Sequence, residues 1–570
     1  MLEIAVTGGT VVDGTGAPGV RADVGVRDQR IVSIAAPGTL DEPARQTIDA
    51  DGLIVAPGFV DIHTHLDAQV FWDPWLTPTC LHGITTVVGG NCGFSIAPLT
   101  DNDADYVMRM LARVEGMPLE SLRTGVPWGW SSTSQYLDAV DRARPALNMA
   151  FMAGHSTMRR VVMGDAAVHD RASTAQVAQM QQLLRDALAG GAIGLSSSWT
   201  ASHVDGDGNP VPSRSADEDE ILALCAVASE FEGTQVEFIP CGFPDFQERH
   251  RNLMTKMSQV SARPVNWNVL LVQSRQATDE RLAMSEYAMQ HGGRIVALAY
   301  PGLIAARYTF VSSAFDSVPN WSEVMALAPE EKLRALTDPT VRERLRAGLN
   351  SPEGQRREIA LIDRHTIVQG FSPASKAIEG RKLGDVAAER GVDSLDLLLD
   401  LMVADELRTG MAPRAVGDDE SLWPVREQLW GDPRVMIGAS DAGAHLDMLS
   451  TFDYTATYLE LTRDRSEIPI EMAVYRLTDA PARLYGLRDR GRIAEGWFAD
   501  LCVFDAARVA QGKVAWRDDL PGGFSRLYSE PPGIEHVVVN GTEIARHGKP
   551  LDARPGRVLR SGRDTMTVLP

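Results

Sequence analysis

Between residues 57 and 490 short apolar runs alternate with longer amphipathic stretches, and that alternation restricts the fold more than any other feature of the chain. The runs fall at 53–62, 85–88, 148–152, 193–196, 234–239, 265–270, 295–298 and 435–438, with helix-period patterns such as 174–189 and 217–231 between them. Strands joined through helices must run parallel, and a parallel sheet covered on both faces reads as continuous apolar segments. About eight such units fit an α/β protein with a (β/α)8 TIM barrel, whose chemistry sits at the carboxyl ends of the strands. An open doubly wound sheet is the alternative, although no Gly-rich phosphate loop follows any of the runs.

Both ends of the chain have a different texture. Near the start, Ala22 to Val26 and Gln29 to Ile34 read as short strands following the turn chemistry of Asp13-Gly14-Thr15-Gly16. Near the finish, Leu501 to Phe504 and Ile534 to Asn540 read likewise. Neither end could bury a core alone, so 1–56 and 491–570 are expected to pair into one small β-sandwich flanking a 57–490 barrel.

Composition narrows the function class. The chain of 570 residues is 44 % hydrophobic and 23 % charged, as in a well-packed soluble protein. A formal net charge of −21 offers no basic field for nucleic acid and would mildly repel an anionic membrane. Five widely spaced cysteines make no disulfide framework. With no basic n-region at the start and no apolar run of about eighteen residues, the chain reads as cytoplasmic.

The candidate chemistry follows the strands. After the first run come His63 and His65, two residues apart, so strand periodicity turns both imidazoles to one side as a metal half-site. The second run leads into Gly89-Gly90-Asn91-Cys92-Gly93, where Cys92 is either a thiolate ligand on the same ion or a buried hydrophobe. Asp441 follows the last run and could bind metal and accept a proton from metal-bound water. His445, a little further on, either bonds substrate or holds that loop. His155 also follows a strand and is either substrate-facing or packed against backbone, while His203 lies in a long polar loop over the expected barrel mouth. Glu237, inside a strand pattern, needs a partner or a metal. Arg214 and Tyr300 are candidates for receiving a substrate carboxylate. The first lysine of the chain is Lys256, so strands one to five supply no carbamylated lysine; Cys92 and Glu237 are left as bridging candidates.

These segments, together with Gly191-Ala192-Ile193-Gly194-Leu195-Ser196-Ser197 and Gly438-Ala439-Ser440-Asp441, resemble the amidohydrolase superfamily over nearly the whole length. Within it the Asn91-Cys92-Gly93 segment is similar to the D-aminoacylase or N-acyl-D-amino-acid deacylase group, in a longer and divergent branch. The resemblance implies that His63 and His65 are the paired metal ligands, Cys92 the metal-binding cysteine and Asp441 the catalytic aspartate. It implies one or two zinc ions, or another divalent metal. The family's histidines on strands five and six have no counterpart here, where the segments read Gln235-Val236-Glu237-Phe238 and Val265-Asn266-Trp267-Asn268. The implied reaction is hydrolysis of a linear amide, an N-acyl-D-amino acid, by metal-activated water with Asp441 as general base and then acid. A cyclic-amide hydrolase of the hydantoinase or dihydroorotase type is the second reading, and a metal-free binding protein the third. The expected partner is a small-molecule amide, with homo-oligomers left open.

Overall fold

The computed structural model describes the whole chain except residues 101, 242–245, 312–314 and 316–317. It divides into two compact units, one of Met1–Gly302, Glu420–Leu446 and Thr451–Pro570, the other of Leu303–Asp419 and Asp447–Ser450.

The eight apolar runs of the sequence are all strands of the first unit. They are β1 (Phe59–Asp61), β2 (Ile84–Gly89), β3 (Asn148–Phe151), β4 (Gly194–Ser198), β5 (Gln235–Ile239), β6 (Val265–Trp267), β7 (Ile295–Ala299) and β8 (Val435–Ile437). Strands β1 to β3 form one parallel sheet; the chain resumes at Ala153–Gly154, which opens a second sheet running through β4 to β8. All these pairings are parallel and follow chain order, without the reversal that a doubly wound sheet requires. A parallel bridge between Thr64 and Ala442 joins the segments that follow β1 and β8.

Alternate strand residues enter two different cores. On β7, Ile295, Ala297 and Ala299 pack with helix residues such as Leu224, Leu253 and Leu282, whereas Val296 and Leu298 pack with Val60, Val88 and Met436 from other strands. Burial on both faces is the reason the strands read as unbroken apolar runs. Five helices of this unit matter below: α1 (Ala104–Val114), α2 (Thr174–Ala189), α3 (Glu218–Ser229), α4 (Glu248–Ser261) and α5 (Arg275–Gln290). Helix α2 starts at a capping box between Ser173 and Gln176, and α3 starts where Asp217 accepts from the Glu220 amide at 3.0 Å.

The first apolar run belongs to two sheets. Ile54–Pro57 pairs antiparallel with Leu501–Phe504, while Phe59–Asp61 is β1. Gly58 makes the crossing: a Cβ there would lie 2.1 Å from the Thr85 side chain. The seven-stranded sheet around Ile54–Pro57 takes strands from both chain ends, and a four-stranded sheet is built from residues 2–49 alone. Their shared core sets Val6, Val24 and Ile48 beside Leu501, Val503 and Val538. Neither end would have that core without the other.

The second unit is mainly helical, with a core of Trp321, Leu336, Leu345, Leu398 and Met402 and an antiparallel pair of strands, Thr366–Gln369 and Gly410–Ala412. In sequence it lies between β7 and β8, inside the stretch read as one alternating 57–490 region. Among the described residues no helix is long and apolar enough to cross a membrane.

Candidate metal centre

The segments after β1, β2, β6 and β8 deliver their side chains to one place. Past β1, Thr64 is pinned by its amide and hydroxyl to the Val88 carbonyl at 3.0 and 2.8 Å, leaving His63 and His65 on the opposite side with ring centroids 5.6 Å apart. Past β2, the Asn91 amide donates to the Thr64 and Val88 carbonyls and fixes a turn in which Cys92 adopts φ +57°, a left-handed conformation rare for a residue with a side chain. That turn points Cys92 Sγ at His63 Nε2 (3.4 Å) and His65 Nε2 (3.7 Å). Past β8, Asp441 is also left-handed at φ +48°, and its Oδ1 lies 3.3 Å from His63 Nε2 and 3.9 Å from His65 Nε2. Ser440 anchors this turn by donating to Asp61 Oδ2 at 2.5 Å. Past β6, the Asn268 amide lies 3.2 Å from His63 Nε2 and donates to Asp441 Oδ1 at 3.3 Å.

These groups meet at a cavity of about 400 Å³, lined by His65, Cys92, Glu115, His203, Asn268, Asp441 and His445 together with Ile239, Phe246, Trp267, Val269 and Leu271. The imidazoles are sealed (0 % and 2 % exposed), whereas Asp441 keeps 27 % of its side chain open.

Burial sets the electrostatics. It pushes His63 down to about 3 and His65 well below its usual value, so both rings are neutral, the form that ligates a metal. It raises Asp441 to about 7. Burial, reinforced by Glu237, Glu115 and Asp441, also lifts the Cys92 thiol well above its normal range. A thiol and a carboxylate that each lie 3.3 to 3.9 Å from the Nε2 atoms of both imidazoles suit a cation. A tetrahedral ion with bonds of about 2.0–2.3 Å spaces its ligands about 3.3–3.8 Å apart. Unsatisfied buried atoms at Asn268 Oδ1, Glu115 Oε1 and Glu237 Oε1 point the same way. The donor set fits a divalent metal.

The other sequence candidates divide. His203 and His445 line the cavity, His203 with its Nδ1 bonded to Ser198 Oγ at 2.9 Å. Glu237 is not a lining residue; its Oε2 accepts from the Cys92 amide at 3.0 Å and so braces the cysteine turn. His155 is corrected to a packed role. Its Nδ1 meets Ser197 Oγ at 2.9 Å and its Nε2 meets Glu220 Oε1 at 2.8 Å, which leaves no ring nitrogen for a substrate. Tyr300 is likewise corrected: it is buried, it donates to Asp453 Oδ1 at 2.9 Å, and it does not line the cavity. Arg214 donates to the His203 carbonyl at 2.9 Å and faces a neighbouring cavity of about 300 Å³ with Arg249 and His250. Asn266 donates to the Val236 carbonyl between strands, away from the cavity.

Two charged lining residues escaped the sequence reading. Glu115, which caps the end of α1, brings Oε2 to 3.6 Å from His65 Nε2. Arg281, on α5, donates to the Leu271 carbonyl at 3.1 Å and to Gln273 at 3.2 Å while lining the cavity. Both come from helices, so no strand-end signal marks them.

Comparison with known proteins gives the family. An amidohydrolase family model matches residues 46–545. The D-aminoacylase of Alcaligenes xylosoxydans xylosoxydans is 28 % identical over 564 residues, covering 98 % of this chain and 97 % of that protein. The N-acyl-D-glutamate deacylase of the same organism is 29 % identical, covering 98 % and 96 %. Among solved structures, the N-acyl-D-glutamate deacylase of Bordetella bronchiseptica, complexed with zinc and a phosphonate mimic of the tetrahedral intermediate, superposes with a TM-score of 0.66. It is 29 % identical and covers 98 % of this chain and 100 % of that one. The chain belongs to the amidohydrolase family, and it is a hydrolase of C–N amide bonds.

Proposed function

We propose that the chain is a metal-dependent deacylase of N-acyl-D-amino acids. The observation that carries this reading is the convergence of Cys92 and Asp441 on the Nε2 atoms of His63 and His65, beside a cavity that His65, Cys92 and Asp441 line. In the same reading β1 to β8 close into a (β/α)8 barrel over 57–490, and 1–56 with 491–570 form a β-sandwich. The in-order parallel pairing, the Thr64–Ala442 bridge and the shared core of the two chain ends support that architecture.

His63, His65 and Cys92, with Asp441, would hold zinc or another divalent metal, which when bound supplies a Lewis acid and brings the pKa of water near neutrality. Asp441 is the most exposed of the four and can reach both water and substrate. Its carboxylate takes a proton from the attacking water and later returns it to the amine that leaves. The Asn268 amide fixes the aspartate for both transfers. His203 and His445, which burial keeps neutral by pushing them to about 3 and about 4, can each donate one N–H to the oxyanion that forms at the amide carbonyl. Arg281 offers a guanidinium for the carboxylate of the amino acid, and the apolar wall of Ile239, Trp267, Val269 and Leu271 faces the acyl chain. The likeness to D-aminoacylase and N-acyl-D-glutamate deacylase supports the D configuration.

The test is a panel of N-acyl D- and L-amino acids with cyclic amides alongside. Free D-amino acid should be released, the release should stop with a chelator, and added zinc should restore it. Opening of hydantoin-type rings without deacylation, or no turnover of any N-acyl-D-amino acid with zinc or manganese, sinks the reading.

A further inference from the structure

The His63, His65, Cys92 and Asp441 set leaves one nearby acid unexplained. Glu115 is 3 % exposed and lines the same cavity. Its backbone is held on both sides: its amide donates to the Leu111 carbonyl at 2.9 Å, and its carbonyl accepts from the His445 amide. Gly116 permits that second contact, because its φ is +60° and a Cβ there would lie 3.3 Å from His445. The side chain is therefore delivered to a fixed spot. Its Oε1 is buried with no hydrogen-bond partner, and among the described residues its ion-pair neighbour is the neutral His65. A carboxylate in such surroundings costs several kcal/mol unless a positive charge faces it.

Direction decides what that charge is. Glu115 Oε2 lies 3.6 Å from His65 Nε2, the same nitrogen that faces Cys92 Sγ at 3.7 Å and Asp441 Oδ1 at 3.9 Å. A carboxylate that merely orients a metal-binding imidazole bonds the ring nitrogen turned away from the ion. Glu115 instead shares the side on which the other donors converge. The three separations, 3.6, 3.7 and 3.9 Å, are close to the spacing of neighbouring ligands around one ion, and Glu115 would bring the donors from four to five.

We infer that Glu115 is a direct ligand of the metal centre. It supplies a donor from a helix end, whereas Glu237 of β5 does not line the cavity and has one oxygen on the Cys92 amide. The inference rests on the metal-dependent reading above and concerns which residues hold the ion.

Metal-free wild type and Glu115→Gln are titrated with zinc against a chromophoric chelator, and with cobalt followed by its visible spectrum, far-UV circular dichroism confirming the fold of each. Glu115→Gln should bind zinc at least about 10-fold more weakly and give an altered cobalt spectrum. Wild-type affinity with an unchanged spectrum overturns the assignment. If Glu115→Gln does not fold, Glu115→His decides: exchanging oxygen for nitrogen at the ion shifts the cobalt bands, and an unshifted spectrum overturns the assignment. A wild type that takes up neither metal removes the metal-dependent reading itself, whereas binding by wild type and variant alike removes only the role of Glu115.

Discussion

Buried acids meet opposite fates in two regions of the large unit. Around the cavity, Asp441, Glu115 and Glu237 face one another and neutral imidazoles, and burial drives all three above their ordinary range. Behind β3, Glu220 is just as buried yet bonds His155 on one oxygen and the Arg159 guanidinium on the other. Burial pushes Glu220 up, but those two partners outweigh it and hold its pKa below the usual value. A carboxylate taken from water needs a positive charge or several donors. The Glu220 region contains its own cation. Among the described residues the ion-pair neighbours of Asp441 and Glu115 are histidines rather than an arginine or lysine, so in the metal-dependent reading a bound cation would complete their charge balance.

The two regions should answer oppositely to loss of a carboxylate. At the cavity, Asp441→Asn should reduce deacylase turnover by about 10³-fold, within the usual range for a general acid–base group. The metal-free variant should be no less stable than wild type, because one of several mutually repelling acids has gone. Turnover of the zinc-loaded protein and urea midpoints of the metal-free protein check this together. Near-normal turnover removes the role assigned to Asp441; a large loss of stability breaks the contrast. At the paired site, Glu220→Leu leaves Arg159, which is 0 % exposed, charged and without a carboxylate partner. That should cost about 3 kcal/mol of stability, read from urea denaturation, because breaking a buried pair strands the surviving charge. A neutral outcome would mean that the Arg159 charge is met by the Ala167, Asp170 and Ser215 carbonyls it also bonds.

The same contrast explains how much was legible in the sequence. Strands buried on both faces announce themselves as apolar runs, and residues that follow such runs are natural site candidates. His63, His65, Cys92 and Asp441 were found in that way and do converge. His155 and Tyr300 also follow strands, but their partners, Glu220 and Asp453, come from distant segments that spacing does not reveal. Glu115 and Arg281 were missed for the complementary reason: each reaches the cavity from a helix, where an acid or an arginine reads as a solvated face. The fold shows the same limit. The run at 53–62 is visibly extended, yet its division between two sheets depends on strands some 450 residues later. The helical unit of Leu303–Asp419 has the same amphipathic period as the helices between strands, so nothing in the pattern sets it apart.

The smallest expected effect sharpens the comparison on the paired side through pH. Glu543, on a strand of the seven-stranded sheet, is buried, which alone would push its pKa up. His536 at 2.6 Å, Arg546 at 2.9 Å and Gln46 outweigh that and hold it at about 2. A carboxylate whose folded pKa lies below its unfolded value of 4.5 stabilises the fold fully above that value and loses the contribution as pH falls toward about 2. Because Arg546 is partly exposed, the pair is screened, and Glu543→Gln should cost about 1 kcal/mol at pH 7. The difference between wild type and variant in denaturant midpoints should then shrink between about pH 5 and pH 3. The cavity acids have the opposite sign: with pKa values raised they favour the metal-free fold when protonated, and for Asp441 that contribution is lost as pH rises from its unfolded value of 3.8 to about 7. A Glu543 difference that stays constant over the acidic range would mean that His536 and Arg546 act by packing alone, and charge pairing would no longer distinguish the two regions.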